Sequence, residues 1–165
     1  MLVSVLADYP HYAKQIAEWY FSEWGNLVPG STLESVENKV KERAVQGEHI
    51  PFGLVVHHQG ELLAAADLKF RENTNYPEYE HWLGGVYVNP SYREQGITRL
   101  LIERAKSEAN RLGVEQLYLQ CESHNIALYQ KYGFTPLHTT KHHEAHTTIM
   151  VWQAVSVDES NVSER

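Results

Sequence analysis

Leu83-Gly84-Gly85-Val86-Tyr87-Val88-Asn89-Pro90-Ser91-Tyr92-Arg93-Glu94-Gln95-Gly96-Ile97-Thr98-Arg99-Leu100-Leu101 reads as a strand, a turn and the start of a helix. Val86, Tyr87 and Val88 favour extended backbone. Asn89-Pro90-Ser91 stops the strand, because proline cannot donate to a ladder and Asn-Pro favours a turn. From Ile97 the period becomes helical, with Ile97, Leu100, Leu101, Ala105, Ala109 and Leu112 on one face. Arg99/Glu103 and Arg104/Glu108 are opposite-charge pairs one turn apart on the remainder, and Gly113 suits the residue just past the helix end. The first N–H groups of such a helix lack partners and carry the positive end of its dipole. Gly96 lets backbone come close to a ligand, so the site suits a phosphate or pyrophosphate. Many strand–turn–helix units with one glycine bind nothing, so this pattern alone leaves function open.

The same reading extends in both directions. After Gly113, Glu115 to Cys121 alternates, with Leu117, Leu119 and Cys121 facing one way and Gln116, Tyr118 and Gln120 the other. Strand, helix, strand predicts two parallel neighbours joined by a right-handed crossover. A short helix over Asn125 to Tyr132, closed by Gly133, precedes a last hairpin of Phe134–Thr140 and His146–Gln153. On the N-terminal side, Met1 to Ala7 suits a strand. Asp8-Tyr9-Pro10 opens a helix carrying Tyr12, Ile16, Trp19, Tyr20 and Trp24 on one face. Thr32 to Val45 predicts a second helix with a thin apolar stripe. Pro51–His57 and Glu61–Phe70 form a hairpin at His58-Gln59-Gly60, and Arg71–Glu80 is a loop before the strand Trp82–Val88. Gly84-Gly85 is placed for a bulge, or for close helix packing.

With 165 residues, 42% hydrophobic and 21% charged, the chain is expected to form one domain over residues 1–153. Residues 154–165 read as a polar, disordered tail. The net charge of −7 without a basic stripe argues against nucleic acid and is compatible with a cationic partner. Cys121, the single cysteine, excludes an internal disulfide framework and reads as a buried, inert thiol. No run approaches a membrane span and the N-terminus lacks a signal-peptide pattern, so the expected location is cytoplasmic. His138, His142, His143 and His146 gather at the last hairpin, but nothing fixes a tetrahedral set, and no metal site is expected.

Tyr92-Arg93-Glu94-Gln95-Gly96-Ile97-Thr98 resembles the acyl-CoA signature of the GNAT superfamily of N-acetyltransferases. That signature is Gln/Arg-x-x-Gly-x-Gly/Ala after a strand ending in an Asn/His-Pro turn. Arg93 takes the first position, Gly96 is the central glycine, and Thr98 stands where the family has glycine or alanine. Leu128-Tyr129-Gln130-Lys131-Tyr132-Gly133-Phe134 resembles the family's Leu-Tyr-x-x-x-Gly-Phe ending. Glu23-Trp24-Gly25 after a helix is similar to bacterial members, and a looser resemblance runs from residue 3 to residue 152. The resemblance implies an α/β (α+β) fold. Its centre would be a mixed, mostly antiparallel sheet of about seven strands with a splayed parallel pair, flanked by about four helices. It also implies an acyltransferase with acetyl-CoA as co-substrate.

The implied roles follow residue by residue. Val86, Tyr87 and Val88 would pair with the pantetheine arm, and the Val88 N–H would stabilise the developing oxyanion. Arg93, Glu94, Gln95, Gly96, Ile97, Thr98 and Arg99 would surround the pyrophosphate. Tyr129 falls on the common general acid; the alternative is a core tyrosine. A phenol titrates near ~10 and a thiol near ~8.5, so the phenol stays protonated as the thiolate forms. The family asparagine seven residues earlier is replaced by Glu122, leaving Asn125 as the nearest cofactor contact. Trp82 occupies the place of a frequent strand glutamate, so the base is open among Glu80, His81, His124, Glu122 and ordered water. Tyr20 and Trp24, with Glu23 and Glu34, are candidates for the acceptor pocket, as are Glu80, His81 and His124.

The expected activity is N-acetylation of a primary amine, on a small molecule or peptide, by direct attack in a ternary complex. The chain would be a monomer or homodimer without nucleic-acid or membrane partners. The alternative is a catalytically impaired acyl-CoA-binding regulatory module. A plain nucleotide-phosphate binder is disfavoured because Gly-x-x-x-x-Gly-Lys-Ser/Thr is absent.

Overall fold

Seven strands form one sheet in a computed structural model that describes residues 1–142 and 145–154. They are β1 (Leu2–Val5), β2 (Phe52–His58), β3 (Glu61–Phe70), β4 (His81–Val88), β5 (Gln116–Cys121), β6 (Thr135–His142) and β7 (Ala145–Gln153). Their order is β1-β2-β3-β4-β5-β7-β6, and every neighbouring pair is antiparallel except β4–β5. Four helices flank the sheet: α1 (Ala13–Trp24), α2 (Leu33–Glu42), α3 (Ile97–Arg111) and α4 (Ile126–Lys131). Among the described residues, no helix is long and apolar enough to cross a membrane.

The apolar stripe read from Ile97 onward becomes the main core. Ile97, Leu101, Ile102, Ala105 and Ala109 pack on Leu54, Val56, Ala66, Leu68, Leu83, Leu117 and Leu119. These strand residues come from both sides of the parallel pair, so α3 holds the two halves of the sheet together. Gly113, at φ +71°, ends the helix, and the Val114 N–H bonds to the Ala109 carbonyl at 2.9 Å, closing a Schellman turn. The opposite face is covered by Ile16, Ala17 and Tyr20 of α1 and Val40 of α2, against Val55, Leu62 and Ala65. The β2–β3 turn is a primed two-residue turn, with φ +49° at Gln59 and +81° at Gly60.

Several boundaries differ from the sequence reading. The first strand stops at Val5, because Leu6 is drawn into the core and Leu6–Asp8 turns as a 3-10 segment. The first helix begins at Ala13, after a second 3-10 turn over Pro10–Tyr12. The second starts at Leu33, where Thr32 and Ser35 form a reciprocal capping box, and ends at Glu42 rather than Val45. Glu108 is buried rather than solvated, held by Arg104 at 3.0 Å and Arg111 at 2.7 Å. Glu103 approaches Lys106, at 3.9 Å, rather than Arg99. Residues 155–165, most of the expected tail, lie outside the described residues, as does His143.

Leu101 is wholly buried where α3 meets the sheet. Leu101→Ala is expected to lower unfolding free energy by about 2–5 kcal/mol in a urea titration followed by circular dichroism.

Candidate active site

Strands β4 and β5 meet at a single registered pair, Trp82 with Tyr118. Beyond it they diverge, and the cause lies in β4. Between two registered pairs, β3 advances from Ala65 to Asp67 while β4 spans Gly84 to Tyr87, one residue more. This is the bulge expected at Gly84-Gly85, and Gly85 sits at φ +59°, a conformation open to glycine. Past the bulge, the Asn89 N–H donates to the Leu63 carbonyl of the β2–β3 side at 2.9 Å. Alternation along an antiparallel strand then turns the Val88 N–H and C=O the other way, into the gap. The Val88 carbonyl accepts from Arg93 Nε at 3.1 Å, and the Arg93 guanidinium lies over the Tyr87 ring at 5.6 Å. Val86 and Val88 pack toward the α3 core, and Tyr87 packs toward α1.

At the mouth of the gap, Gly96 adopts φ +79° and Glu94 φ +64°, winding the loop tightly into α3. No side chain caps this helix, and a Cβ on Gly96 would meet nothing within 4 Å. The first amides of α3 therefore have no side-chain cap, which suits an anion. Arg93, Glu94, Gln95, Gly96 and Arg99 are exposed, Thr98 is half-buried, and Ile97 anchors the turn in the core. Tyr92 Oη donates to Glu61 Oε2 at 2.6 Å, tying the loop to β3. Beside it, Arg99, Glu103, Lys106, Lys131, Tyr132 and Gly133 line a cavity of about 480 Å³ between α3 and the end of α4.

A split parallel pair with an uncapped helix at its mouth is the arrangement the sequence resemblance implied. A model of the acetyltransferase (GNAT) family matches residues 13–134, most of the chain. The chain belongs to that family. As a GNAT protein it is an acyltransferase with acetyl-CoA as its co-substrate. Solved structures agree on the fold. An aminoglycoside 6'-N-acetyltransferase complexed with coenzyme A is 15% identical, with 96% of this chain and 99% of that one covered and a TM-score of 0.73. The yncA acetyltransferase of Salmonella typhimurium, solved with acetyl-CoA, is 20% identical over 94% of each chain, with a TM-score of 0.73. An acyl-CoA N-acyltransferase from Pseudomonas aeruginosa is 22% identical over 92% of this chain and 97% of that one, with a TM-score of 0.64. None of the curated proteins compared with the chain matches it significantly.

The remaining candidates of this GNAT chain fall into separate places. Tyr129 is buried on α4, edge-on to Phe134 at 6.1 Å; burial, then the neighbouring Cys121, holds its phenol well above the usual range. Asn125 is half-buried in the turn before α4. His124 and Glu122 are exposed at the end of β5, 3.4 Å apart. Tyr20 and Trp24 converge from α1, with ring centroids 5.3 Å apart, and Trp24 lies edge-on to Tyr87 at 6.2 Å. Glu23 and Glu34 are exposed.

Glu80 and His81 are not brought to this group. They line a cavity of about 260 Å³ with Glu78, Glu115 and Tyr118, at the paired end of β4 and β5. They stand on the paired side of Trp82, outside the gap. His138 packs on Tyr76 at 4.7 Å and its Nε2 lies 3.1 Å from Tyr79 Oη. Among the described residues, no group of three His, Cys, Asp or Glu side chains is placed to hold a metal ion. The sequence reading passed over Arg43, Asp67, Lys69 and Glu72, which gather under the bulge. Asp67 did leave a signal, since it interrupts an otherwise apolar run from Leu62 to Leu68.

Burial, with a smaller push from Glu122, raises the Cys121 thiol to about 11. Its thiolate at pH 8 is then roughly 100-fold scarcer than that of a free cysteine. Alkylation by iodoacetamide at that pH is expected to be slower by about that factor in the folded protein, and restored in denaturant, as followed by intact mass.

Proposed function

We propose that the protein transfers the acetyl group of acetyl-CoA to a primary amine of a small molecule or peptide, by direct attack in a ternary complex. The single registered pair between β4 and β5 carries this reading. It leaves the Val88 amide facing a gap whose mouth is the uncapped start of α3. The residues present suit acetyl-CoA on three counts. The gap offers unpaired strand backbone to an extended amide-bearing arm. The free amides from Gly96 to Arg99 suit a pyrophosphate. Arg99, Lys106 and Lys131 around the adjoining cavity suit a further phosphate.

In this reading the Val88 N–H donates to an amide carbonyl of the pantetheine arm, which continues inward along β4 to the acyl group. Tyr129 Oη gives its proton to the departing sulfur. The same apolar surroundings that raise Tyr129 also raise Cys121, so a thiolate formed there is equally disfavoured and draws the phenol proton. Trp24 and Tyr87 flank the acceptor side, where aromatic faces suit a cationic amine. No enzyme nucleophile takes part, consistent with the inert state of Cys121.

The second reading, a CoA-binding regulatory module, is favoured by Trp82, which stands fully buried at the place where the resemblance implies a frequent glutamate. It requires CoA binding without turnover. In the test, purified protein receives acetyl-CoA and a panel of primary amines. Free thiol should appear with intersecting initial-rate lines, and binding of CoA with no thiol release would favour the module. Tyr129→Phe is expected to lower kcat about 100-fold while leaving the calorimetric Kd for CoA within about threefold. Gly96→Val, which forces a branched residue to positive φ, is expected to weaken CoA binding at least about tenfold in the same titration.

A further inference from the structure

Polar side chains from four separate parts of the chain meet under the β4 bulge, on the face covered by α1 and α2. Tyr20 comes from α1, Arg43 from the turn after α2, Asp67 and Lys69 from β3, and Glu72 from the β3–β4 connection. The two glycines make the space. A Cβ on Gly85 would lie 2.7 Å from Tyr20 Oη and 2.9 Å from Asp67 Oδ2; one on Gly84 would lie 2.7 Å from Glu72 Oε1. Lys69 Nζ pairs with Glu72 Oε1 at 2.6 Å, while Arg43 Nε stays 3.8 Å from Asp67 Oδ2.

This group differs from a structural ion-pair cluster in two ways. Tyr20 Oη and Arg43 Nε are buried without a hydrogen-bond partner: Asp67 Oδ2 borders the same Gly85 space as the Tyr20 hydroxyl without bonding to it, and lies 3.8 Å from Arg43 Nε. Leaving such atoms unpaired is costly, and a packed core would not retain them for stability. Burial also lifts Asp67 above the ordinary carboxylate range, against the opposing pull of Arg43 and Lys69, with Glu72 adding to the rise. The second difference is location. Gly84 and Gly85 follow the Trp82–Tyr118 pair after one intervening residue, Leu83, at the inner end of the gap. An arm with its phosphates at Gly96 that runs back past Val88 ends there, about 10 Å of strand further in. The acyl end therefore arrives beside Tyr20.

We propose that Asp67, reached through the Tyr20 hydroxyl, accepts the proton of the attacking amine, in place of the carboxylate that Trp82 cannot provide. This rests on the acetyl-transfer reading above. A primary ammonium gives a proton to Tyr20 Oη as the hydroxyl, unbonded to Asp67 in the free protein, turns to give its own to Asp67 Oδ2. The freed lone pair forms the C–N bond, and the C–S bond breaks toward sulfur, which takes the Tyr129 proton. Of the two protons the nitrogen sheds, one passes by Asp67 to solvent and the other replaces the one Tyr129 gave. The substrate class that fits is an aliphatic primary amine, cationic at neutral pH, guided between Trp24 and Tyr87. Tyr20 touches the substrate; Asp67 acts through it.

The experiment compares the full chain with Tyr20→Phe and Asp67→Asn. Acetyl-CoA is supplied with a diamine, an aminoglycoside and an alanine-terminated peptide, across about pH 6 to about pH 10. Both variants should lose about 100-fold in kcat with CoA affinity within about threefold. The acid limb of kcat/KM, which falls as Asp67 is protonated, should vanish in Asp67→Asn. Tyr20→Phe removes a hydroxyl that has no partner, so its Tm should equal or exceed the parent's, and it decides the matter if Asp67→Asn does not fold. Turnover within about threefold of the parent in either folded variant, with the acid limb intact, overturns the proposal alone. A parent that binds CoA but acetylates none of the amines overturns it together with the acetyl-transfer reading.

Discussion

Two strands that should pair and do not are the constraint on which this structure depends. β4 and β5 run parallel, yet only Trp82 and Tyr118 stand in register. Unpaired strand edges inside a sheet are unfavourable unless something else satisfies them. Here the rest of the fold holds the edges apart. β1 to β4 form one antiparallel unit and β5 to β7 another, each with its own ladder. The two units are bound chiefly through α3, whose apolar face covers strand residues from both. The gap is therefore a built feature, with backbone groups available for an extended ligand.

The bulge that opens the gap also shapes what lies beneath it. Glycine at positions 84 and 85 removes two side chains from the face under α1 and α2. Tyr20, Asp67 and Glu72 move into that space, which would otherwise be apolar core. One local irregularity thus does two things. It turns the Val88 amide into the gap, and it brings polar groups together beside the inner end of that gap. The first is a backbone effect and the second a consequence of missing side-chain volume, yet both follow from the same dipeptide.

The sequence reading is least complete where the fold decides which group a side chain meets. Glu80 and His81 stood near the motif in sequence, but they lie on the paired side of Trp82, at the wrong end of the strand. Glu108 looked like one half of a surface helix pair, yet it is buried, and the more exposed Arg104 and Arg111 that pair with it also donate to the Val3 and Gly47 carbonyls. Arg93 was assigned to phosphate alone, while its Nε holds the Val88 carbonyl. The Val3 and Gly47 carbonyls come from far along the chain, whereas Arg93 meets a carbonyl five residues back that faces it only because the strand ends beside an unpaired gap.

By itself the sequence determined the order of the strands and main helices, the α3 stripe and the open turn at Gly96, and it left Gly84-Gly85 open between a bulge and close helix packing. These depend on periodicity and on backbone freedom, both of which are local. It also carried the motif that places the chain among acetyl-CoA-dependent acyltransferases. Only the tertiary structure decided that β4 and β5 part after one pair, and that Tyr20, Arg43, Asp67 and Glu72 share one buried space. Those outcomes depend on register and packing between segments dozens of residues apart, and no local pattern encodes such distances.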